Sequence, residues 1–207
     1  MTQKLKIIIA DDHAILRVGL STLLNTFDDF SVVDEAENGM ATLRKVQKHN
    51  PDIVILDLMM PDMDGVEVTG RLVKMNPNTR ILILTTFGTS DGISRALRAG
   101  ALGAILKNAE IEELTTAIRT VAGGNRYVSR ELKRIMTEDP PVQELTPRQL
   151  QILDSLVRGL TSVDIATQLD ISADMVREHT SALFKRLGAA NRAEAVAIAL
   201  RKHLLKV

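Results

Sequence analysis

Short, mainly apolar runs alternate with stretches of helical apolar spacing over roughly the first 120 residues, and this alternation admits few folds. The runs are Leu5 to Ala10, Val32 and Val33, Ile53 to Leu56, Ile81 to Leu84 and Ala101 to Leu106. Helical patterns lie between and after them, over Ala14 to Leu24, over Met40 to Val46, and near 66–75, 91–99 and 110–122. Five buried strands, each followed by a helix, predict an α/β unit over residues 1–122: a doubly wound, flavodoxin-like, five-stranded parallel sheet with right-handed crossovers.

Gly123-Gly124 stops the fifth helical pattern, and residues 123–144 read as a linker with a short helix near Arg130 to Met136, ending on acids beside Pro140-Pro141. Beyond it no strand-like run appears. Residues 145–207 carry four helical patterns with short breaks, so the fold class is α/β followed by a small four-helix, all-α domain. With 45% hydrophobic and 25% charged residues the chain has the composition of a folded protein. No run of 18 apolar residues offers a membrane span, and MTQKLKIIIA lacks a signal-peptide core. The absence of cysteine excludes disulfides, thiolate zinc sites and cysteine nucleophiles. A cytoplasmic location without a membrane partner is the expectation.

In a doubly wound sheet ligands bind at the carboxyl ends of the strands, where strand order reverses. Asp11 and Asp12 end the first strand, Asp57 the third, Thr85 the fourth and Lys107 the fifth. Three carboxylates in one crevice repel, and the remedies are raised pKa values or a hard cation held by oxygens, for which Mg²⁺ is the natural candidate. Such an ion bridges to a phosphoryl group, a lysine ammonium and a threonine hydroxyl bind phosphate oxygens, and an aspartate can itself be the nucleophile. Taken singly, each residue also has a plain role, as a helix cap or a strand-end ion pair.

In the second unit Thr146-Pro147-Arg148-Gln149 reads as a helix start, with Thr as N-cap, Pro first and Gln three after the cap. Thr161 with Asp164 makes another. Asp170-Ile171-Ser172 is a tight turn whose serine caps the following helix, so two helices joined by about three residues form a helix-turn-helix pattern. Past Ser172, Val176, Thr180, Leu183, Phe184 and Leu187 share one face, and Asp174, Arg177, Glu178, Ser181 and Lys185 the other. The first face packs; the second either is a solvated surface or reads the major groove, with Arg177 suited to guanine or phosphate, Glu178 to a cytosine amino group and Lys185 to phosphate. Net charge is zero, but from Arg177 to Lys206 seven basic residues face two acids, Glu178 and Glu194, which marks a candidate phosphate-facing surface. On the last helix Ala193, Val196, Ala197, Leu200 and Leu204 form an apolar stripe.

IIIADDH, IVILDLMMPDMDG, ILILTTF and AGALGAILK resemble the receiver domain of bacterial two-component response regulators over about residues 5–122. The resemblance implies that Asp57 is the phosphoacceptor, charged by a sensor histidine kinase; that Asp12, Asp57 and the Met59 backbone carbonyl hold Mg²⁺, with Asp11 acting through water; and that Thr85 and Lys107 hold the phosphoryl oxygens. Relatives carry an aromatic switch residue where this chain has Ala104, and Pro or Asp where it has Asn108. Met59 and Phe87, two residues after Asp57 and Thr85, are the positions that flank an attacking water, and neither orients one, so slow self-dephosphorylation is expected. Residues 145–196 are similar to the LuxR-type (NarL/FixJ) DNA-binding domain, departing at Gln149, at Ser162-Val163 and at Ser181, where Lys is frequent. That resemblance implies that Arg177, Glu178 and Ser181 face bases of double-stranded DNA, that Lys185 meets the backbone and His179 packs, and that the last helix builds a homodimer.

The expectation is a transcription regulator that is not an enzyme beyond its own phosphotransfer. Two alternatives stand beside it: a regulator whose receiver works without phosphorylation, to which Ala104 and Asn108 point, and an aspartate-nucleophile phosphohydrolase, which Asp62-Met63-Asp64-Gly65 imitates in the wrong context, because Pro61 precedes the motif and Asp57 occupies the strand end.

Overall fold

The computed structural model describes residues 4–86 and 89–205, and the chain divides into two compact units that part between Asp139 and Pro140. In the first, strands β1 (Leu5–Ala10), β2 (Phe30–Ala36), β3 (Ile53–Leu56), β4 (Arg80–Thr85), β5 (Gly103–Leu106) and β6 (Tyr127–Val128) form one parallel sheet in the order β2-β1-β3-β4-β5-β6. Helices α1 (Ala14–Leu24), α2 (Gly39–His49), α3 (Gly65–Met75), α4 (Ser90–Ala99) and α5 (Ile111–Ala122) are the crossovers. Successive residues of a strand point to opposite faces. Ile8, Val54, Ile81, Ile83 and Ala104 therefore build one core, packed with Val46, Val68, Leu72, Ile93 and Ala96. Ile7, Ile9, Ile53, Ile55, Leu82 and Ile105 build the other, packed with Leu24, Leu114, Ile118 and Val121.

The sheet has six strands rather than five. Tyr127 and Val128 pair with Gly103 and Ala104; the Tyr127 N–H donates to Leu102 O and the Ser129 N–H to Ala104 O, both at 3.0 Å. A two-residue strand has no periodicity to read, so it is invisible in the sequence. Helix α6 (Arg130–Glu138), capped by the Ser129 side chain on the Leu132 N–H at 3.2 Å, lays Leu132 fully buried into the first core, with Val128, Ile135 and Met136 against it. The stretch read as linker thus extends the first unit to residue 139. Gly103 permits the close approach: a Cβ there would lie 2.6 Å from Val121 Cγ2 and 2.8 Å from Tyr127 O. Strand β2 is longer than the Val32-Val33 signal, because an edge strand is only half-buried and carries polar Ser31, Asp34 and Glu35.

The second unit contains α7 (Pro147–Val157), α8 (Ser162–Leu169), α9 (Ala173–Leu187) and α10 (Arg192–Arg201). Thr146 and Gln149 close a reciprocal capping box, as do Thr161 and Asp164, and Ser172 accepts from the Met175 N–H at 3.2 Å. Asp170, with φ +51, ends α8 in the left-handed region that lets the chain turn into α9. Ile152, Leu153, Leu156, Ile165, Val176, Leu183, Leu187, Ala195, Ile198 and Ala199 form its core. Among the described residues no helix is long and apolar enough to cross a membrane.

Truncating a fully buried leucine costs about 2–5 kcal/mol. Leu132→Ala is therefore expected to lower the unfolding transition of the first unit, read by calorimetry on the full chain, while the transition of the second unit stays in place.

Candidate functional site

Strand order reverses between β1 and β3, and both flanking strands end in acids. The ladder runs one residue past each strand: the Asp11 N–H donates to Ala36 O at 3.0 Å, the Asp57 N–H to Ala10 O at 2.8 Å and the Lys107 N–H to Thr85 O at 2.8 Å. That common register brings Asp11, Asp57 and Lys107 level. Gly65 lets α3 start beneath them, since a Cβ would lie 2.4 Å from Asp57 O and 2.9 Å from Leu58 Cα.

The Lys107 ammonium stands 2.6 Å from Asp11 Oδ2 and 2.8 Å from Asp57 Oδ2, and all three groups are buried. Asp57 Oδ1 is buried with no hydrogen-bond partner. Burial raises the Asp57 pKa above the ordinary carboxylate value; the hydrogen bond and charge of Lys107 oppose this without cancelling it, and the Asp11 charge adds to it. Burial works to lower the Lys107 pKa, but its bonds to Asp11 and Asp57 outweigh that and hold it above the usual lysine value. Asp12 is exposed and contacts His13, whose Nδ1 lies 2.8 Å from Asp12 Oδ1 and 3.0 Å from Asp11 Oδ1. Donor atoms of Asp11, Asp12, His13 and Asp57 lie within 4.8 Å of one another. An acidic cluster with an orphaned carboxylate oxygen at its floor suits a hard divalent cation, which would both neutralise it and give that oxygen a partner.

Of the other residues singled out in the sequence, Thr85 is buried at the end of β4 and Met59 follows Asp57 with an exposed side chain. Phe87 lies outside the described residues. Ala104 is buried on β5, its carbonyl taken by the Ser129 N–H and its strand partner Val128, so β6 borders the strand that relatives use for an aromatic switch. Asp64 caps α3, accepting from the Glu67 N–H at 2.8 Å, and Asp62 is exposed with φ +71. Sequence reasoning missed His13; its only signal was adjacency to the acid pair.

On α9, Arg177, Glu178, Ser181 and Lys185 are exposed on one face, His179, Thr180 and Phe184 are half-buried, and Val176, Leu183 and Leu187 enter the core. Arg177 pairs with Asp174. Arg177, Ser181 and Lys185 line a groove of about 510 Å³ together with Ser162 at the start of α8 and Ala189 and Ala190 past the end of α9. The basic surface is smaller than the count of cations implies. The Arg192 guanidinium donates to Leu160 O at 2.7 Å and Leu156 O at 2.8 Å, where α7 ends; Arg186 donates to Glu144 O; and Lys202, only 4% exposed, donates to Pro140 O at 2.8 Å. These three hold the domain together. Lys206 lies outside the described residues.

The proposed dimer stripe also divides. Ala193, Ala197 and Leu200 are exposed on α10, while Val196 is half-buried against the core. Leu204 is not on the helix: α10 ends at Arg201, His203 adopts φ +49, and the Leu204 N–H turns back to Ala199 O at 3.0 Å, packing the side chain inward.

The response regulator receiver domain family matches residues 7–119, and the luxR family of bacterial regulatory proteins matches residues 143–199. The chain is 37% identical over 215 residues to the oxygen regulatory protein NreC of Staphylococcus carnosus (strain TM300), covering 97% of this chain and 99% of that protein. It is 36% identical over 217 residues to NreC of Staphylococcus epidermidis (strain ATCC 12228 / FDA PCI 1200), covering 98% of this chain and 100% of that one. Among solved structures it is similar to the response regulator ChrA of a heme-sensing two-component system, with a TM-score of 0.59, 32% identity and 98% and 99% of the two chains covered. RcsB of Salmonella enterica serovar Typhimurium, bound to a promoter in the presence of phosphomimetic BeF3⁻, shares the fold, with a TM-score of 0.72 at 23% identity and 97% and 100% coverage.

A carboxylate whose pKa is raised by folding binds protons more tightly in the folded state, so stability falls as pH rises from the ordinary aspartate value through the raised one, and the full penalty is present above it. In metal-free buffer at pH 7, Asp57→Asn is thus expected to raise the melting temperature of the first unit. The gap to the unsubstituted chain should narrow as pH is lowered into that window.

Proposed function

Because this chain belongs to the two-component response regulators that join a receiver to a luxR-type DNA-binding domain, we propose that a phosphoryl group on Asp57 controls its binding to promoter DNA. The observation that carries the proposal is the placement of Asp57: buried at the end of β3, with one oxygen 2.8 Å from Lys107 and the other without a hydrogen-bond partner. A carboxylate oxygen of Asp57 attacks the phosphorus of a phosphohistidine on a sensor kinase, the P–N bond breaks, and an acyl phosphate forms. Asp11, Asp12, Asp57 and the Met59 carbonyl are the groups that would hold Mg²⁺, which when bound offsets charge on the transferring phosphoryl. The ammonium of Lys107 supplies a charge-assisted hydrogen bond to the new phosphoryl oxygens, and the Thr85 hydroxyl a second donor.

Phosphorylation adds about 1.5 to 2 negative charges beside the Asp11–Lys107 pair. Lys107 is continuous with β5, and β5 is bonded to β6, so a shift at the pocket is passed to β6 and α6 without the missing ring at position 104. The exposed Met59 side chain offers no group to orient water, which supports slow loss of the phosphate. Asp64 is used as a helix cap and Asp62 is an exposed residue in a turn that ends no strand, so their motif lacks the strand-end context of a phosphohydrolase centre. On this reading the chain is a regulator whose only chemistry is its own phosphotransfer and slow dephosphorylation, acting in the cytoplasm on double-stranded DNA as a homodimer through Ala193, Ala197 and Leu200 of α10.

Beryllofluoride with Mg²⁺ should drive the full chain to a dimer in sedimentation and tighten its binding to a promoter fragment, and Asp57→Asn should abolish both responses. Identical binding by the two proteins under all conditions would instead favour the phosphorylation-independent reading that Ala104 raises. Each phosphate neutralised adds about 0.9 to the log–log salt slope of DNA binding. Lys185→Ala is expected to weaken binding on all sequences and flatten that slope by about one such step, whereas Arg177→Ala should relax discrimination between sites.

A further inference from the structure

His13 has no role in the reading above, and its local geometry is unusual. It occupies the N-cap of α1, where a serine, threonine, aspartate or asparagine would accept from the first turn, yet its side chain makes no such bond. The ring turns back instead, so that Nδ1 lies 2.8 Å from Asp12 Oδ1 and 3.0 Å from Asp11 Oδ1. One donor atom each from Asp11, Asp12, His13 and Asp57 falls within a 4.8 Å spread. Ligands trans across an ion at about 2.0–2.2 Å lie about 4.4 Å apart and adjacent ones about 3 Å, so the set contracts around an ion when one binds. Within this set Asp57 Oδ1, on a residue only 2% exposed, has no hydrogen-bond partner, and a bound cation would give it one.

Mg²⁺ prefers an all-oxygen shell, whereas imidazole nitrogen suits zinc, cobalt and nickel. At hydrogen-bond distance from two carboxylate oxygens Nδ1 of His13 is a donor in the ion-free pocket, and once the proton resides on Nε2 instead the ring offers the Nδ1 lone pair to such an ion. The side chain is 65% exposed, so it can move onto a metal without disturbing the core. We propose that His13 is a nitrogen donor to the acidic pocket, giving it affinity for borderline divalent cations that compete with Mg²⁺ for the same carboxylates. The proposal rests on the reading of this pocket as a divalent-cation site. The repulsion of Lys107 and the attraction of the three carboxylates act alike on all divalent ions. The change in the ratio of Co²⁺ to Mg²⁺ affinity when the imidazole is removed therefore isolates the contribution of the nitrogen.

The test titrates the full, unphosphorylated chain with Co²⁺, following visible d–d absorption and heat, then displaces the ion with Mg²⁺. Co²⁺ is expected to bind more tightly than Mg²⁺ and to be displaced by it. His13→Ala should weaken Co²⁺ binding about tenfold, the scale on which single groups around a metal act, while Mg²⁺ affinity changes by less than about twofold. His13→Asn restores an N-cap and offers only oxygen, so it should show the same fallen ratio. Equal changes for both ions in the two variants would reduce His13 to a residue that orients the aspartates and overturn the proposal. So would Co²⁺ that Mg²⁺ does not displace, because it would sit elsewhere. If Mg²⁺ fails to bind the unsubstituted chain, the reading of the pocket falls first and the proposal with it.

Discussion

The buried ammonium of Lys107 between Asp11 and Asp57 is the interaction on which the first unit turns. Removing three charges from water is costly, and mutual attraction repays it only where geometry is close. Here the geometry comes from the sheet: three strand ends, from β1, β3 and β5, are level because their ladders continue one residue past the last apolar position. The repayment is incomplete, as the raised Asp57 pKa and its unpartnered oxygen show. Two apolar cores, one on each face of the sheet, hold the strands firmly enough to keep that imbalance in place. A pocket left short of positive charge and of hydrogen-bond donors is prepared for a cation and for a phosphoryl group alike.

The helical unit distributes its charge on another principle. Capping side chains start its helices, and three cations that on paper belong to a nucleic-acid surface are instead donors to backbone carbonyls: Arg192 where α7 ends, Arg186 at Glu144 and Lys202 at Pro140. A small domain with few buried residues gains from satisfying carbonyls that its loops would otherwise leave open. What remains for DNA is compact, the exposed side of α9 and the groove beside Ser162. Specific contacts in a major groove need few residues on one helix face, and this unit supplies them without a broad positive field.

Much of this was legible in the chain itself. Strands β1, β3 and β4 announce themselves as continuous apolar runs because both faces of a central parallel strand are covered, and the acids and the lysine at strand ends mark the crevice. The caps Thr146, Thr161 and Ser172 are local chemistry, which acts over three residues and is therefore written in order. Edge strand β2 was only half visible, since it is half-buried and interrupted by polar residues, and β6 was not visible at all, since two residues gain strand character only from the partner beside them. The inward turn of Leu204 and the burial of Lys202 depend on contacts with residues distant in sequence, Pro140 among them, which no periodicity encodes.

By itself, then, the sequence determined the class of each unit, the identity of the acidic crevice and the face of α9 that is free, because strand burial, helix capping and amphipathic spacing are properties of neighbouring residues. Only the tertiary structure decided that α6 closes the first core beside Ala104, that half-hidden cations brace the second unit, and that the ring of His13 leans into the carboxylates rather than capping its helix. Those outcomes depend on which groups meet across the fold, where desolvation and hydrogen-bond satisfaction are settled between residues tens of positions apart.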